Sequence, residues 1–526
     1  YIADDKRFYA GSDQNLSLYH NNSTGINYLV SNPGNMFYMS ATNYFTDAAQ
    51  SKIQAQFIHN SYCELRHAGN LKFRTSETGI DVTGEVKATQ DYPITNPTLD
   101  LNFTNTKSLD PRINYVRIGA ASYLNEFGKI VTVGENVPRF DYDPTTLESK
   151  GLLIEESRQN MFRATADMGS NAGAWSIGGT RGRRGVNVEG PDGKMTALQN
   201  IYLGTSGDLN IFYETSTGAT EMTTNNSTVY TFSVFAKMKP GNNYINSIRM
   251  RTFNANRSAT FYIHTGSLGS INEGSGSISD RSIIKYPNGW YRCIMTFTSG
   301  TDGNQGFQIY LANQENASLN SSSANGEAMY FWGAQLEIGS FATSFIPTQP
   351  RDGRNRGTQT IRGADILDID GKDFTDFYNQ SEGTILSSHT LLPNVPNAEN
   401  VYVYQIQDAS TNNVIRVIDK NSSYSNVATG LVLNGGSSQF HFNNTTDSYT
   451  KDKVLVALSV KQDDFAGCHN GGDLSTDNSG TLPTNFNKLG IGRYPPSGGY
   501  ELNGHIQRFT YYPRQLSDSQ LKTLTS

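Results

Sequence analysis

Short runs of alternating apolar and polar residues, separated by turns rich in Asn, Gly and Ser, recur along the chain and constrain its fold more than any other feature. In the run Tyr230–Lys237, Phe232 and Val234 alternate with Thr231 and Ser233. A period of two residues is typical of a strand with one buried face. The pattern predicts an all-β protein built from antiparallel strands.

The composition agrees with this fold class and excludes several functions. Hydrophobic residues make up 36% of the 526 residues and charged residues 17%, with 50 Gly, 29 Tyr and 26 Phe, whereas a helical bundle would draw on Ala, Leu, Glu and Lys. The net charge of −6 creates no field that would gather nucleic acid. Apolar runs fall short of the roughly 18–20 residues of a membrane-spanning helix. We expect no nucleic-acid partner and no membrane span.

The pattern changes along the chain and predicts four segments, in agreement with a prior of roughly 150 residues per domain. Residues 1–90 are predicted to form a β-repeat stalk or oligomerisation segment, and 91–150 a Pro-rich connector with short strands. Residues 151–350 and 351–526 are predicted to form two antiparallel β-sandwiches of jelly-roll or lectin-like type. The capping box Ser517–Gln520 predicts a short C-terminal helix.

The strands of the first segment carry few large apolar residues, as in Leu16–His20, Ile53–Ile58 and Leu71–Thr75. Small domains of this kind commonly need oligomerisation to bury enough surface. We therefore predict that this segment is an intertwined or stacked β element completed by other copies of the chain.

No motif indicates an enzyme, a metal site or a cofactor. An EF-hand register fails in the densest acidic cluster because its first and twelfth ligand positions would be Ile366 and Phe377, so we expect a solvated boundary there. That cluster consists of Asp365, Asp368, Asp370, Asp373 and Asp376. The distant Cys63, Cys293 and Cys468 form no C-x-x-C pair, which predicts thiols. Paired glycosidase carboxylates can be distant in sequence, which keeps a depolymerase open as an alternative.

Aromatic side chains are the candidates for carbohydrate binding, because sugar rings stack their apolar C–H faces on Tyr or Trp. Tyr494 and Tyr500 lie in the loop Gly492–Tyr500, and loops at the ends of sandwiches commonly carry function. Trp175 and Trp290 are further candidates, although the strand pattern around Trp290 favours a place in the core.

Several short segments of the sequence resemble those of a known class of protein. Gly151–Asn160 and Trp332–Thr348 are similar to the segments that begin and close a carbohydrate-binding-module-like sandwich in tail-fibre and virion structural proteins of tailed phages. Arg362–Asp365 with Asp373–Thr384, and the stretch that begins at Gly504, resemble the boundaries of a concanavalin-like or laminin-G-like domain. Leu16–Asn21 and Thr75–Gly84 resemble repeats in virion proteins of marine phages, including those that infect cyanobacteria.

The resemblance implies a non-enzymatic virion fibre or receptor-binding protein, assembled in the host cytoplasm with other virion proteins. We expect a homotrimer that attaches to host-surface polysaccharide or lipopolysaccharide through several weak sites at once. Two alternatives stay open at this point. One is a capsid or tail decoration protein without host binding, and the other is a polysaccharide depolymerase.

Overall fold

The structure is a computed structural model of the whole chain, and it divides into two compact units, Tyr1–Gln90 and Asp91–Ser526. It is nearly all β, as the alternating runs predict. The residues that it describes are 6–10, 16–21, 23, 26–31, 42–47, 49–77, 79–83, 96–168, 174–177, 181–204, 209–213, 222–274, 276–300, 304–313, 322–348, 359–395, 400–419, 429–443, 453–495 and 499–526.

The described residues of the first unit form two antiparallel sheets. One sheet has the order β1-β2-β3 and the other the order β4-β5-β6-β7-β8. The strands are β1 (Arg7–Ala10), β2 (Leu16–Asn21), β3 (Ile26–Ser31), β4 (Thr42–Thr46), β5 (Ile53–Ile58), β6 (Cys63–His67), β7 (Asn70–Ser76) and β8 (Gly79–Val82).

The five-stranded sheet has one polar face. Gln56, Glu64 and Arg74 are cross-strand partners on this face. Glu64 is fully buried and accepts hydrogen bonds from Gln56 Nε2 at 2.7 Å and from Arg74 Nε at 2.7 Å. Arg66 Nη2 donates to the same carboxylate at 2.6 Å. The polar groups at the centre of this face are therefore satisfied by side chains of the same sheet.

The opposite face carries an apolar row that runs across all five strands. Its members are consecutive cross-strand partners: Phe45, Ala55, Leu65, Phe73 and Val82. Phe45 is 57% exposed and Leu65 47% exposed. We call this set the apolar row.

The second unit contains the remaining strands. Those before residue 180 are β9 (Leu99–Asn102), β10 (Asn114–Val116), β11 (Ala121–Leu124), β12 (Ile130–Val133), β13 (Phe140–Tyr142), β14 (Ser149–Ile154), β15 (Arg158–Asn160) and β16 (Trp175–Ile177). Those up to residue 340 are β17 (Gly182–Arg184), β18 (Leu198–Tyr202), β19 (Asn210–Tyr213), β20 (Met222–Thr223), β21 (Val229–Met238), β22 (Ser247–Thr252), β23 (Arg257–Tyr262), β24 (Ser267–Asn272), β25 (Ser277–Lys285), β26 (Tyr291–Thr298), β27 (Asn304–Gln305), β28 (Phe307–Ala312) and β29 (Ala328–Ile338).

The rest of the chain forms β30 (Thr360–Arg362), β31 (Ile366–Asp370), α1 (Gly371–Thr375), β32 (Glu382–Leu391), β33 (Val401–Gln407), β34 (Val414–Asp419), β35 (Thr429–Asn434), β36 (Ser437–Asn443), β37 (Val454–Lys461), β38 (Asp464–His469), β39 (Ser475–Asp477), β40 (Lys488–Ile491), β41 (Gly504–Tyr512) and α2 (Asp518–Thr525). The capping box is confirmed, because Ser517 Oγ accepts from Gln520 N and the Gln520 side chain accepts from Ser517 N at the start of α2.

A middle sandwich consists of two six-stranded sheets. Their strand orders are β16-β19-β28-β22-β23-β24 and β17-β18-β29-β21-β26-β25. Phe232 of one sheet and Met250 of the other belong to the same buried cluster, so the two inner faces share one core. The alternation in β21 therefore places Phe232 and Val234 in this core and Thr231 and Ser233 on the opposite face, which is also buried, although the sequence pattern predicts one buried face.

A C-terminal sandwich consists of a seven-stranded and an eight-stranded sheet. The orders are β10-β31-β40-β33-β34-β35-β36 and β13-β14-β41-β32-β37-β38-β39, with β9 also paired to β41. Leu367 and Ile385 represent the two sheets in the shared core. The strands β9, β10 and β13 lie in the stretch predicted as a connector. β9 pairs with β41 and β10 with β31, both from the last third of the chain, and β13 pairs with β14, which itself pairs with β41.

Buried charges connect the sequence before the middle sandwich with the sequence after it. Arg139 donates to Glu155 Oε2 at 2.6 Å and to Asp365 Oδ2 at 2.5 Å, and Arg362 Nη1 lies 2.8 Å from Glu155 Oε2. All four side chains are fully buried. Ser344 N donates to Glu155 Oε1 at 2.6 Å, which adds the end of the middle sandwich to the network.

The prediction of a solvated boundary is wrong for two of the five aspartates of the acidic cluster. Asp365 is not solvated, because it belongs to the buried network. Asp368 is 7% exposed and lies 2.9 Å from Lys488 Nζ and 3.3 Å from Arg493 Nη1. The two aspartates are buried by strand pairing that brings distant basic residues to them.

Candidate functional site

Three tyrosines meet at one end of the C-terminal sandwich. Tyr494 and Tyr500 belong to the connection between β40 and β41, and Tyr402 is the second residue of β33. Tyr402 N donates to the carbonyl of Tyr500 at 3.1 Å, and Gly492 N donates to the carbonyl of Val403 at 2.8 Å. These backbone bonds hold the loop against the strand. We call the three rings the tyrosine cluster.

The rings of the cluster are in mutual contact. The centroid of Tyr402 lies 5.0 Å from that of Tyr494 and 6.0 Å from that of Tyr500, and the last two lie 6.1 Å apart. Tyr402 is 6% exposed, whereas Tyr500 is 54% exposed. The cluster is therefore anchored on the buried Tyr402 and presents the ring of Tyr500 to solvent.

The backbone of Tyr500 adopts a conformation that residues other than Gly and Asn rarely take. Its φ is +56°, in the left-handed region, which costs an ordinary side chain about 1–2 kcal/mol. Such outliers cluster at binding sites because the surrounding contacts hold them in place. Here the hydrogen bond from Tyr402 N holds the residue and directs a large ring outward.

Polar groups surround the rings. Arg416 Nη1 donates to Tyr402 Oη at 3.3 Å, and Glu501 Oε1 accepts from Gly499 N at 3.0 Å. Burial raises the pKa of Glu501 above its usual range, and a weaker opposing effect comes from the backbone N–H groups that it accepts from. The Arg416 guanidinium beside the tyrosine rings combines apolar and hydrogen-bonding groups of the kind that a sugar requires, whereas Glu501 is only 7% exposed.

The two tryptophan candidates lie elsewhere. Trp175 is 2% exposed, and its ring centroid is 5.2 Å from that of Phe162 in the middle sandwich. Trp290 is also 2% exposed and belongs to a buried cluster with Phe235 and Trp332. Neither ring offers a face to a sugar in solution, so we reassign Trp175 and Trp290 to the framework. Both are large apolar groups on strand-like segments that the sheets cover.

Sequence reasoning missed Tyr402 and Arg416 as members of the site. Each lies within a strand, and a strand pattern gives no sign that a side chain at its end meets a loop about a hundred residues further on. Tyr402 N is bonded to the loop itself, so the loop and the strand define the site together.

The described parts of the chain show no metal site and no membrane-spanning helix. No three His, Cys, Asp or Glu side chains converge there in a way that holds a metal ion. No helix in the same ranges is both long and apolar enough to cross a bilayer. Cys63, Cys293 and Cys468 are free thiols.

No protein-family model matches the chain, and no curated protein sequence matches it. Among solved structures it is similar to the CBM40 module of the IT-sialidase of Ruminococcus gnavus bound to α2,3 sialyllactose, with 15% identity, 28% of this chain and 84% of that chain covered, and a TM-score of 0.25. It is also similar to the tandem CBM22 modules of Paenibacillus barcinonensis Xyn10C, with 8% identity, 69% and 99% covered, and a TM-score of 0.22.

Chicken galectin 2 is a third similar structure, with 13% identity, 26% of this chain and 92% of that chain covered, and a TM-score of 0.18. All three are carbohydrate-binding modules or lectins by name. At these identities and TM-scores the likeness assigns no ligand to this chain.

Proposed function

We propose that this protein is a non-enzymatic, glycan-binding fibre or receptor-binding protein of a tailed-phage virion, which attaches to host-surface polysaccharide. The tyrosine cluster carries the glycan-binding part of the proposal. An exposed ring fixed on two others offers a rigid stacking surface at little cost in conformational entropy. The resemblance of the sequence phrases to virion proteins supports the phage part.

We further propose that several copies act together as a homotrimer. The apolar row supports this, because a continuous exposed apolar surface on a sheet marks an interaction site. A second copy of the chain is its partner in this proposal. In a homotrimer, three identical sheet faces meet around one threefold axis, and each buries its apolar row against the other two.

Multivalency allows weak individual sites to give firm attachment. Once one site is bound, the next binding event is intramolecular, and linked sites exceed the affinity of a single site by about 10²–10⁴. Under this arrangement, one solvent-exposed tyrosine on each chain is sufficient for firm attachment of the assembled protein.

The proposed function is tested with an array of bacterial polysaccharides and lipopolysaccharides. Wild-type protein is compared with Tyr500→Ala, which removes the exposed ring, and with Phe127→Ala, which removes a 73% exposed aromatic ring outside the cluster. We expect the wild type and Phe127→Ala to bind the same glycans. Tyr500→Ala should bind at least about tenfold more weakly, which corresponds to about 1.4 kcal/mol per site.

The same samples separate the alternatives. Release of new reducing ends from a bound polysaccharide would show a depolymerase. Absence of binding to every glycan, with no competition against phage adsorption on susceptible cells, would leave a decoration protein. Equal binding by the wild type and Tyr500→Ala would exclude the tyrosine cluster as the glycan-binding site.

A further inference from the structure

A cleft separate from the tyrosine cluster lies within the unit Asp91–Ser526, between the middle and the C-terminal sandwiches. It encloses about 260 Å³. Its walls come from residues 122–155, from β25, β26 and the stretch after β29, and from residues 392–394 with His505. Pockets that bind small ligands occur preferentially at such junctions between compact bodies. The volume suits one or two sugar rings better than a long chain.

Aromatic rings form part of the wall. Tyr123, Tyr142 and Tyr286 line the cleft, and each is partly exposed. The centroid of Tyr286 lies 5.0 Å from that of the buried Phe235, which fixes one ring against the core. These tyrosines combine apolar faces with hydroxyl groups in one small space.

Carboxylates in the cleft are held by the protein in fixed positions. Asp141 accepts from Leu124 N at 2.7 Å and pairs with His505 Nε2 at 2.9 Å. Asp280 of the middle sandwich accepts from Asn394 Nδ2 at 2.5 Å, which closes the cleft from the other side. Hydrogen-bonding groups with fixed orientation are what a binding site needs to recognise the hydroxyls of a ligand.

Two buried polar atoms of the lining lack partners among the described residues. They are Ser282 Oγ and Arg292 Nε, and Arg292 is only 5% exposed. The guanidinium donates from Nη2 to Ser233 Oγ at 3.1 Å, so its orientation is fixed while Nε is unpaired. Buried polar groups are almost always hydrogen-bonded in native proteins. Both atoms are almost completely covered, so a ligand hydroxyl accepts from Arg292 and exchanges a hydrogen bond with Ser282 through small shifts of the lining side chains.

The charges of the lining select against an acidic ligand. Asp141, Asp143 and Asp280 outnumber Lys150 and Arg292. The other carboxylate of the lining, that of Glu155, is neutralised by Arg139 and Arg362. A carboxylate on the ligand would therefore meet net negative charge, whereas an uncharged polyol would not.

We propose that this cleft is a second carbohydrate site, which binds one neutral hexose or N-acetylhexosamine unit. The proposal rests on the glycan-binding function for the class of ligand but uses residues separate from the tyrosine cluster. The two sites can therefore fail independently.

Saturation-transfer NMR with the methyl glycosides of glucose, galactose, mannose and N-acetylglucosamine tests the proposal on the full chain. Ser282→Phe fills the cleft from β25, and Ser277→Phe places the same ring at an exposed position of the same strand. We expect at least one glycoside to give a signal with the wild type and with Ser277→Phe, and the signal to fall at least tenfold with Ser282→Phe. Tyr142→Ala provides a second cleft variant, which removes a wall instead of filling space.

Each outcome decides between the two sites. A signal that survives Tyr500→Ala and disappears with the cleft variants supports the cleft. A signal that is lost with Tyr500→Ala and unchanged with Ser282→Phe and Tyr142→Ala overturns the cleft and leaves the proposed function standing. A wild type silent toward all four neutral glycosides, or responding more strongly to methyl glucuronide, also overturns it.

Discussion

The buried carboxylate of Glu155 stabilises the junction between the middle and the C-terminal sandwiches. Burial alone would raise the pKa of its carboxyl group, but Arg362 and Arg139 outweigh this effect, and the pKa falls to about 2 from 4.5. A carboxyl with a lower pKa in the folded state stabilises that state above the unfolded pKa. This contribution is fully present above about pH 4.5 and is lost as the pH falls toward 2.

The substitution Glu155→Gln is therefore expected to lower the free energy of unfolding at pH 7 by about 3–5 kcal/mol, since it leaves two buried arginines short of a counter-charge. Guanidinium unfolding at pH 7, 4 and 3 measures this, and the difference from wild type should shrink as the pH falls. Glu126→Gln, at an exposed position, is the control and should have little effect. A difference that is the same at every pH would contradict the assignment.

Tyr500 offers a second test at the residue scale. Asn tolerates the left-handed conformation better than other residues with a side chain, so Tyr500→Asn relieves backbone strain while it removes the ring. We expect glycan binding to fall as it does for Tyr500→Ala, and the melting temperature to stay at or above that of the wild type. A clear drop in melting temperature would show that the ring serves packing instead.

At the residue scale, the exposure of an aromatic side chain can be predicted when it lies in a loop, whereas burial by neighbouring strands is harder to predict. Tyr494 and Tyr500 were chosen as loop aromatics, and Tyr500 is exposed. The strand pattern around Trp290 indicates its burial, whereas Trp175 is a candidate by residue type alone, and its burial depends on neighbouring strands that a local pattern does not reveal. For the same reason, Tyr402 was not identified.

At the scale of elements, the apolar row makes a prediction about assembly. Leu65→Glu places a charge in the middle of the row, whereas Ser76→Glu places one at an exposed position on the opposite face, three residues after Phe73 of the row. We expect sedimentation to show a multiple of 57.9 kDa for the wild type and Ser76→Glu, and 57.9 kDa for Leu65→Glu. Unchanged mass in Leu65→Glu, or a monomeric wild type, would exclude the row as an interface.

Elements defined by local signals could be predicted, whereas their partners could not. The run Tyr230–Lys237 is a strand over Val229–Met238, and the capping box begins the C-terminal helix. The strand β9, in contrast, pairs with β41 near the other end of the chain. Arg508 Nε bonds Asp100 Oδ1 across 408 positions. A local hydrophobic pattern does not identify such a distant partner, so the sequence predicts a connector where the structure has short strands before residue 150.

For the whole molecule, the proposed function combines glycan binding by the tyrosine cluster with assembly through the first unit. Neither property would give firm attachment alone, because one exposed ring would supply a weak contact and self-association of the first unit would supply no contact with a glycan. Their combination predicts that attachment strength depends on the number of linked chains, and that changes in either part are felt mainly in the dissociation rate.

The most direct measurement is the dissociation rate from a surface coated with the glycan that the array identifies. The account predicts slow dissociation of the wild type, at least about a hundredfold faster dissociation of Leu65→Glu, and at least tenfold faster dissociation of Tyr500→Ala. No reducing ends should appear in the eluate. Equal rates for the wild type and both variants would contradict the central claim that this protein binds glycans through linked tyrosine clusters.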